Sequence, residues 1–231
     1  LPEAKSTSQS LGSALHSTLD KAQLDVNNDK FDITSCYKYL KKALDSEHLT
    51  PEDNKSIYGQ GSLILTTIFK TYGYTLPKGS ASEQRISGIK LTDAIIDGTL
   101  DRVDKNDEKL VIVDYKTGAA LNNFGSTAVS SQTRIWKHKT QLIFYVLLAS
   151  LHSGLSFYKD VTGQMVYLQA KTKKQLTLDY RPTDDEIKRL EKLIEAVHKK
   201  IRNLDFPDVS KYEKSSRGIT QFEDDLIAGK I

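Results

Sequence analysis

Gly98-Thr-Leu-Asp101-Arg-Val-Asp104 and, after the polar link Lys105-Asn-Asp-Glu-Lys109, Leu110-Val-Ile-Val-Asp114-Tyr-Lys116-Thr-Gly118 are the stretch on which the fold turns. Leu110 to Val113 is a continuous, largely β-branched apolar run, the composition of a strand buried on both faces. Asp114 and Lys116 follow it two residues apart, so their side chains share one face of the strand. The link at 105–109 reads as a β-hairpin connection. A turn centred near residues 107 and 108 sets Asp101 opposite Asp114, with Cβ atoms about 5 Å apart. Two carboxylates that close repel each other unless a cation lies between them. A hard divalent ion such as Mg²⁺ is typically held by one or two carboxylates together with waters and substrate phosphates. Two readings therefore fit the hairpin: a cation site, or a surface hairpin whose Asp114 and Lys116 form an exposed ion pair.

The chain has 231 residues, 38% hydrophobic and 27% charged, which suits a soluble globular protein with a real core. A net charge of +3 is too small for a histone-like polycation but leaves room for a locally basic groove. No apolar run approaches the roughly 20 residues of a membrane span. The start, Leu1-Pro-Glu-Ala-Lys5, has no initiator methionine and no signal-peptide core, so the chain reads as a fragment of something longer. The single cysteine, Cys36, reads as a small buried hydrophobe. One cysteine cannot form an intrachain disulfide, a structural zinc site or a four-cysteine iron–sulfur cluster. A reducing, cytoplasmic setting follows as the expectation.

Helices are expected over 8–23, 32–44, from Thr50-Pro51 onward, and over 62–72, on apolar spacing and caps. The break Thr75 to Ser80 is followed by three strands, 83–89, 95–103 and 110–116, as a meander. Residues 119–133 read as a loop rich in Asn, Gly, Ser and Thr. Residues 139–151 form a helix with so little polar face that it must be nearly enclosed. Strands follow at 164–170 and 176–180. The capping box Thr183-Asp-Asp-Glu186 opens an amphipathic helix, and Phe206 to Gly218 reads as loop. No glycine-rich phosphate loop is present, so no nucleotide motor is encoded here.

Helices, three antiparallel strands carrying Asp…Asp-x-Lys, a buried helix and further strand form an order that resembles the PD-(D/E)XK nuclease superfamily, in particular its RecB-like branch. Four segments carry the likeness: Gly12-Ser-Ala-Leu-His16, the Gly98 to Asp104 strand, Val113-Asp-Tyr-Lys-Thr-Gly118, and Gln141-Leu-Ile-Phe-Tyr145. The resemblance implies a restriction-endonuclease-like α/β (α+β) core, with a central mixed sheet flanked by helices. It implies a single nuclease domain over 1–231: an N-terminal helical part (1–76) carrying His16, the nuclease core (83–180), a C-terminal helix (183–204) and a tail (205–231). It also implies a metal-dependent nuclease acting on DNA, helicase-associated and serving repair, in one polypeptide or complex with a motor domain. The cluster-bearing subtype is excluded by cysteine count. The alternative class is a nuclease-like module that binds DNA or protein without catalysis.

Carried over residue by residue, the resemblance makes His16, Asp101, Asp114 and the Tyr115 carbonyl the ligands of Mg²⁺, with Mn²⁺ tolerated because imidazole is a softer donor. Lys116 would orient water and stabilise developing charge. Gln141 and Tyr145, four apart on one helical face, would reach metal waters or the DNA backbone. Glu83 would stand behind the ligands. Read as residues alone, His16 is a half-exposed helix histidine and Gln141–Tyr145 a buried polar pair. Arg134, Trp136, Lys137 and Lys139 combine charge with one aromatic, which suits phosphate contact and base stacking, or an ordinary solvated stretch. Arg102 points away from the active face by alternation, to support a helix or bind phosphate, and Asp97 and Asp104 read as surface or hairpin-end acids.

Overall fold

The structure, a computed structural model, describes residues 5–231. Helix α1 (Thr7–Asn27) opens on a capping box in which Ser6 Oγ accepts the Gln9 N–H and Gln9 returns the bond to the Ser6 N–H. Its stripe of Leu11, Leu15, Leu19 and Ala22 is buried. Helix α2 (Ile33–Asp45) is capped by Asp32, and α3 (Pro51–Thr66) by Thr50 with Pro51 in the first turn. Helix α3 runs on into a π-helical turn, Thr67–Thr71, so the helical course expected from Thr50-Pro51 through 62–72 is continuous, its last turn π-helical.

Strands β1 (Ala81–Leu91), β2 (Ala94–Asn106), β3 (Lys109–Lys116), β4 (Asp160–Tyr167) and β5 (Thr177–Tyr180) form one sheet in the order β1-β2-β3-β4-β5. The expected hairpin register is the observed one: β2 and β3 are antiparallel, with Arg102 opposite Val113 and Asn106 opposite Lys109. Continued by one residue, that register sets Asp101 against Asp114. Leu110, Ile112 and Val113 are fully buried, as a strand covered on both faces requires.

Three boundaries differ from expectation. Helix α4 (Val129–Leu151) begins inside the expected loop. After Gly125 that stretch has neither glycine nor proline to break a helix, and buried Ile135 and His138 extend the apolar spacing back from Leu142. Strand β4 lies earlier than 164–170 and takes in Gly163, where an added Cβ would meet Leu142 Cβ at 2.9 Å. The glycine is the residue that lets the α4 side chain come so close. Helices α5 (Asp184–Arg202) and α6 (Ser216–Ile227) follow, the second capped by Ser215 within the expected loop.

The result is a mixed α/β fold, a five-stranded sheet flanked by helices. The chain forms two compact units. The first comprises the described part of Leu1–Gln84 with Leu100–Ala120 and Gln164–Leu178. In it α1 packs on α2 and α3. The second comprises Arg85–Thr99, Leu121–Gly163 and Asp179–Ile231, where α4 packs on α5 and α6. No helix among the described residues is long and apolar enough to cross a membrane.

Gly98 on β2 faces Leu148 of α4 in the second unit, and an added Cβ would sit 2.5 Å from Leu148 Cδ1. Leu148 is fully buried. Gly98→Ala is therefore expected to destabilise the protein by about 1–3 kcal/mol through overpacking, read as a lower midpoint in urea with an unchanged slope.

Candidate active site

The first unit brings His16, Glu83, Asp101, Asp114, Tyr115 and Lys116 into one region through four elements, α1, β1, β2 and β3. Asp101, near the middle of β2, uses its two oxygens differently. Oδ2 accepts the Tyr115 backbone N–H at 2.7 Å. Oδ1 lies 3.4 Å from His16 Nδ1 on α1. The His16 ring also meets the Tyr115 ring edge-on, with centroids 5.9 Å apart. His16, Glu83 and Asp101 each offer one ligand atom, and these atoms all lie within 4.8 Å of one another.

Glu83, expected behind the candidate ligands, has a carboxylate oxygen within 4.8 Å of the His16 and Asp101 donor atoms. It has φ 47°, a left-handed conformation that is uncommon for any residue with a side chain. The chain leading to it is laced along α1. Gln23 Nε2 donates to the Pro77 carbonyl at 2.8 Å, and Asn27 bonds both Ser80 O and Gly79 N at 2.9 Å. Ser82 Oγ donates to Asp20 at 2.5 Å. A signal for this was present in the sequence. His16, Asp20, Gln23 and Asn27 recur at helical spacing, a polar stripe beside the apolar one.

Gly12 explains the start of the Gly-x-x-x-His segment. An added Cβ there would lie 3.2 Å from Thr117 Oγ1, so the glycine lets α1 approach the end of β3 one turn before His16. Asp114 is almost wholly buried, and Lys116 Nζ lies 2.7 Å from its Oδ2. The ion pair anticipated at the surface is thus drawn inside at its carboxylate end.

The electrostatics follow from crowding. Burial pushes the Asp114 carboxyl up to about 6; Lys116 and His16 work against this, and the charge of Asp101 adds to it. Burial and the charges of Asp101 and Asp20 likewise raise Glu83. Burial disfavours the His16 imidazolium, but the hydrogen bond and charge of Asp101 outweigh it and raise its pKa. Such a group of carboxylates with one imidazole is the donor chemistry of a divalent-cation site.

Of the two roles expected of Arg102, the supporting one is observed, while Asp104 differs from the surface or hairpin-end acid expected. The Arg102 guanidinium is buried; it holds Asp104 through two bonds of 2.7 and 2.9 Å, and Nη1 donates to the Tyr74 and Tyr115 hydroxyls at 2.7 Å each. It is an internal anchor and not a phosphate ligand. Asp104 is its counter-ion and not a free surface acid. Asp97 accepts the Gly88 N–H at 2.6 Å.

In the second unit, Gln141 Nε2 donates to the Tyr145 hydroxyl at 2.8 Å, one turn along half-buried positions of α4. Of the four residues expected at DNA, two are engaged within the protein. Trp136 Nε1 donates to Glu223 at 2.9 Å. Lys139 lies 2.6 Å from Glu186 and 5.0 Å from the Tyr180 ring centroid. The physical reason is that α5 and α6 pack on α4, so these side chains bond to neighbouring helices and strand. Lys137 is exposed, and Arg134 is half-buried with a buried Nε that has no hydrogen-bond partner among the described residues.

A sequence model of the PD-(D/E)XK nuclease superfamily matches residues 1–215. The chain belongs to that superfamily. No curated protein matches it.

If the cluster binds a cation in the folded state only, Mn²⁺ or Mg²⁺ should raise the melting midpoint, by about 2–4 °C per kcal/mol for a chain of this size. Asp101→Ala should abolish the rise and His16→Ala reduce it, Mn²⁺ being the more affected ion. A midpoint that rises equally in Asp101→Ala would remove these residues from the cation site.

Proposed function

We propose that this member of the PD-(D/E)XK superfamily is a divalent-metal-dependent deoxyribonuclease. The observation that carries the proposal is the convergence of His16, Glu83 and Asp101 beside the buried Asp114–Lys116 pair. His16, Glu83, Asp101 and Asp114, with the Tyr115 carbonyl, would hold Mg²⁺ or Mn²⁺. A bound divalent ion lowers the pKa of its water and polarises a phosphoryl oxygen.

The chain's own groups supply the rest. The Lys116 ammonium, held by Asp114, presents fixed positive charge where a phosphodiester would carry negative charge in the transition state. Its side chain is only 22% exposed, so that charge is weakly screened. The Asp101–Tyr115 bond fixes the carboxylate without consuming the oxygen that faces His16. Gln141 and Tyr145 are proposed as polar contacts to the DNA backbone. Arg134 and Lys137 are proposed as phosphate contacts, supported by the unpartnered Nε of the first and the exposure of the second. The likeness of four sequence segments to the RecB-like branch supports the finer reading, a nuclease module working with a helicase motor in DNA repair or recombination.

The test is cleavage of end-labelled DNA with Mg²⁺ or Mn²⁺. Lys116→Ala and Asp114→Asn should each lower the rate by about 100-fold or more, with unchanged circular dichroism. Chelation should stop the reaction and added Mn²⁺ restore it. Undiminished cleavage by either folded variant would sink the assignment. DNA binding without cleavage by the unaltered chain, under both ions, would favour the non-catalytic module.

A further inference from the structure

The first unit holds a second concave site that the proposed chemistry does not use. A cleft of about 430 Å³ is lined by Val26, Asp29, Phe31, Phe69, Tyr74 and Lys78, among others. Three rings form its wall. Phe31 and Phe69 have centroids 5.3 Å apart, and Phe69 and Tyr74 6.3 Å, all tilted. Phe31 is 40% exposed, so this wall is open to a ligand and is not a sealed core.

The backbone is built unusually at this point. The π-helical turn closes with Tyr72 N–H on Thr67 O at 2.9 Å, and Tyr74 N–H then reaches back to Ile68 O at 2.9 Å. A π turn widens the helix by one residue and recurs at functional sites. Here Ile68 stays fully buried while Phe69 emerges half-buried beside Phe31.

Asp29 and Lys78 are the charged residues of the lining; exposed Lys30 and Asp32 flank Phe31 in the chain, and exposed Lys70 follows Phe69. Lys78 is paired with Asp29 at 2.6 Å, but the two side chains are 60% and 73% exposed. A pair so open to water contributes little, and a phosphate can replace Asp29 as the partner. An aromatic wall with an exposed lysine beside it is what a single-stranded nucleic acid meets, base on ring and phosphate on cation.

The cleft is also tied to the candidate active site. Tyr74 and Tyr115 share the Arg102 Nη1 donor. Val26 lies ten residues beyond His16 on α1, about 15 Å at the helical rise. That distance is about four or five nucleotides of stacked strand, at ~3.4 Å each, and fewer of an extended one.

We propose that the Phe31–Phe69–Tyr74 cleft takes an unstacked base of single-stranded DNA a few nucleotides from the bond to be cut, with a neighbouring phosphate on Lys78. The proposal rests on the deoxyribonuclease reading for its ligand. The test is fluorescence anisotropy of a single-stranded oligonucleotide with the full chain in chelator, which prevents cleavage. Phe31→Ala should weaken binding about 10-fold, and Phe31→Tyr should restore it. An oligonucleotide of abasic sites should bind the unaltered chain more weakly and be indifferent to Phe31→Ala. Because Phe31 is partly exposed, the variant should fold, and its melting midpoint checks this. If it does not fold, Lys78→Ala at the exposed rim takes its place, with a shallower salt dependence as the expected result. Equal affinity of the original chain and Phe31→Ala for the natural oligonucleotide overturns the cleft as a base site, and with cleavage intact it leaves the nuclease reading standing. A chain that neither binds nor cleaves DNA overturns both.

Discussion

The hydrogen bond from the Tyr115 backbone N–H to Asp101 Oδ2, 2.7 Å long, is the constraint on which the candidate site depends. Without it, Asp101 on β2 would be free to turn either oxygen toward the helix. With it, one oxygen is occupied by β3 and the other is left toward His16 and Glu83. A single main-chain donor therefore ties the hairpin's register to the direction of a side chain. The register matters to the site, because a slip by one residue would carry Asp114 and Lys116 to the other face of the sheet, away from Asp101. Strand register and ligand geometry are thus one requirement.

Arg102 extends this requirement inward. A buried guanidinium is costly unless its donors are matched, and here Asp104, Tyr74 and Tyr115 match them. The arrangement holds the Tyr115 side chain at its hydroxyl while its N–H holds Asp101. Alternation along β2 makes this possible: Asp101 and Arg102 point to opposite faces of the sheet, one toward the cluster and one toward the anchor. The Asp-Arg-x-Asp run is a local solution in which Asp101 serves one side of the strand and the Arg102–Asp104 pair the other.

The hairpin, its register and the buried helix bearing Gln141 and Tyr145 were legible because they rest on local periodicity and composition. The capping box at Thr183 was legible for the same reason. Less could be read where position depends on distant partners. The entry of Glu83 among His16 and Asp101 needs a left-handed backbone and the lacing of 77–82 onto α1, and neither leaves a mark in β1 itself. The engagement of Trp136 and Lys139 depends on acids at 186 and 223, which no local pattern links to them. Gly12 and Gly163 carry information of a third kind: they are small because another element comes close, and sequence shows the glycine without naming the neighbour.

Asp114 shows why such a cluster is not retained for stability. Its folded pKa, near 6, lies above the ordinary carboxylate range, so the folded state holds the proton more tightly than the unfolded chain does. By linkage, the stability this group contributes falls as pH rises from the ordinary carboxylate range through that value, and at neutral pH the ionised group opposes folding. Lys116 offsets part of the cost but not all of it, since the net shift is upward with the pair in contact. A divalent cation beside the cluster reverses the sign, because its charge favours the ionised carboxylates that burial and mutual repulsion disfavour. The cluster is therefore strained in the absence of a cation in a way that a buried Asp–Lys pair alone would not require. The surface-hairpin reading does not account for three acids and an imidazole arriving at one place from α1, β1, β2 and β3.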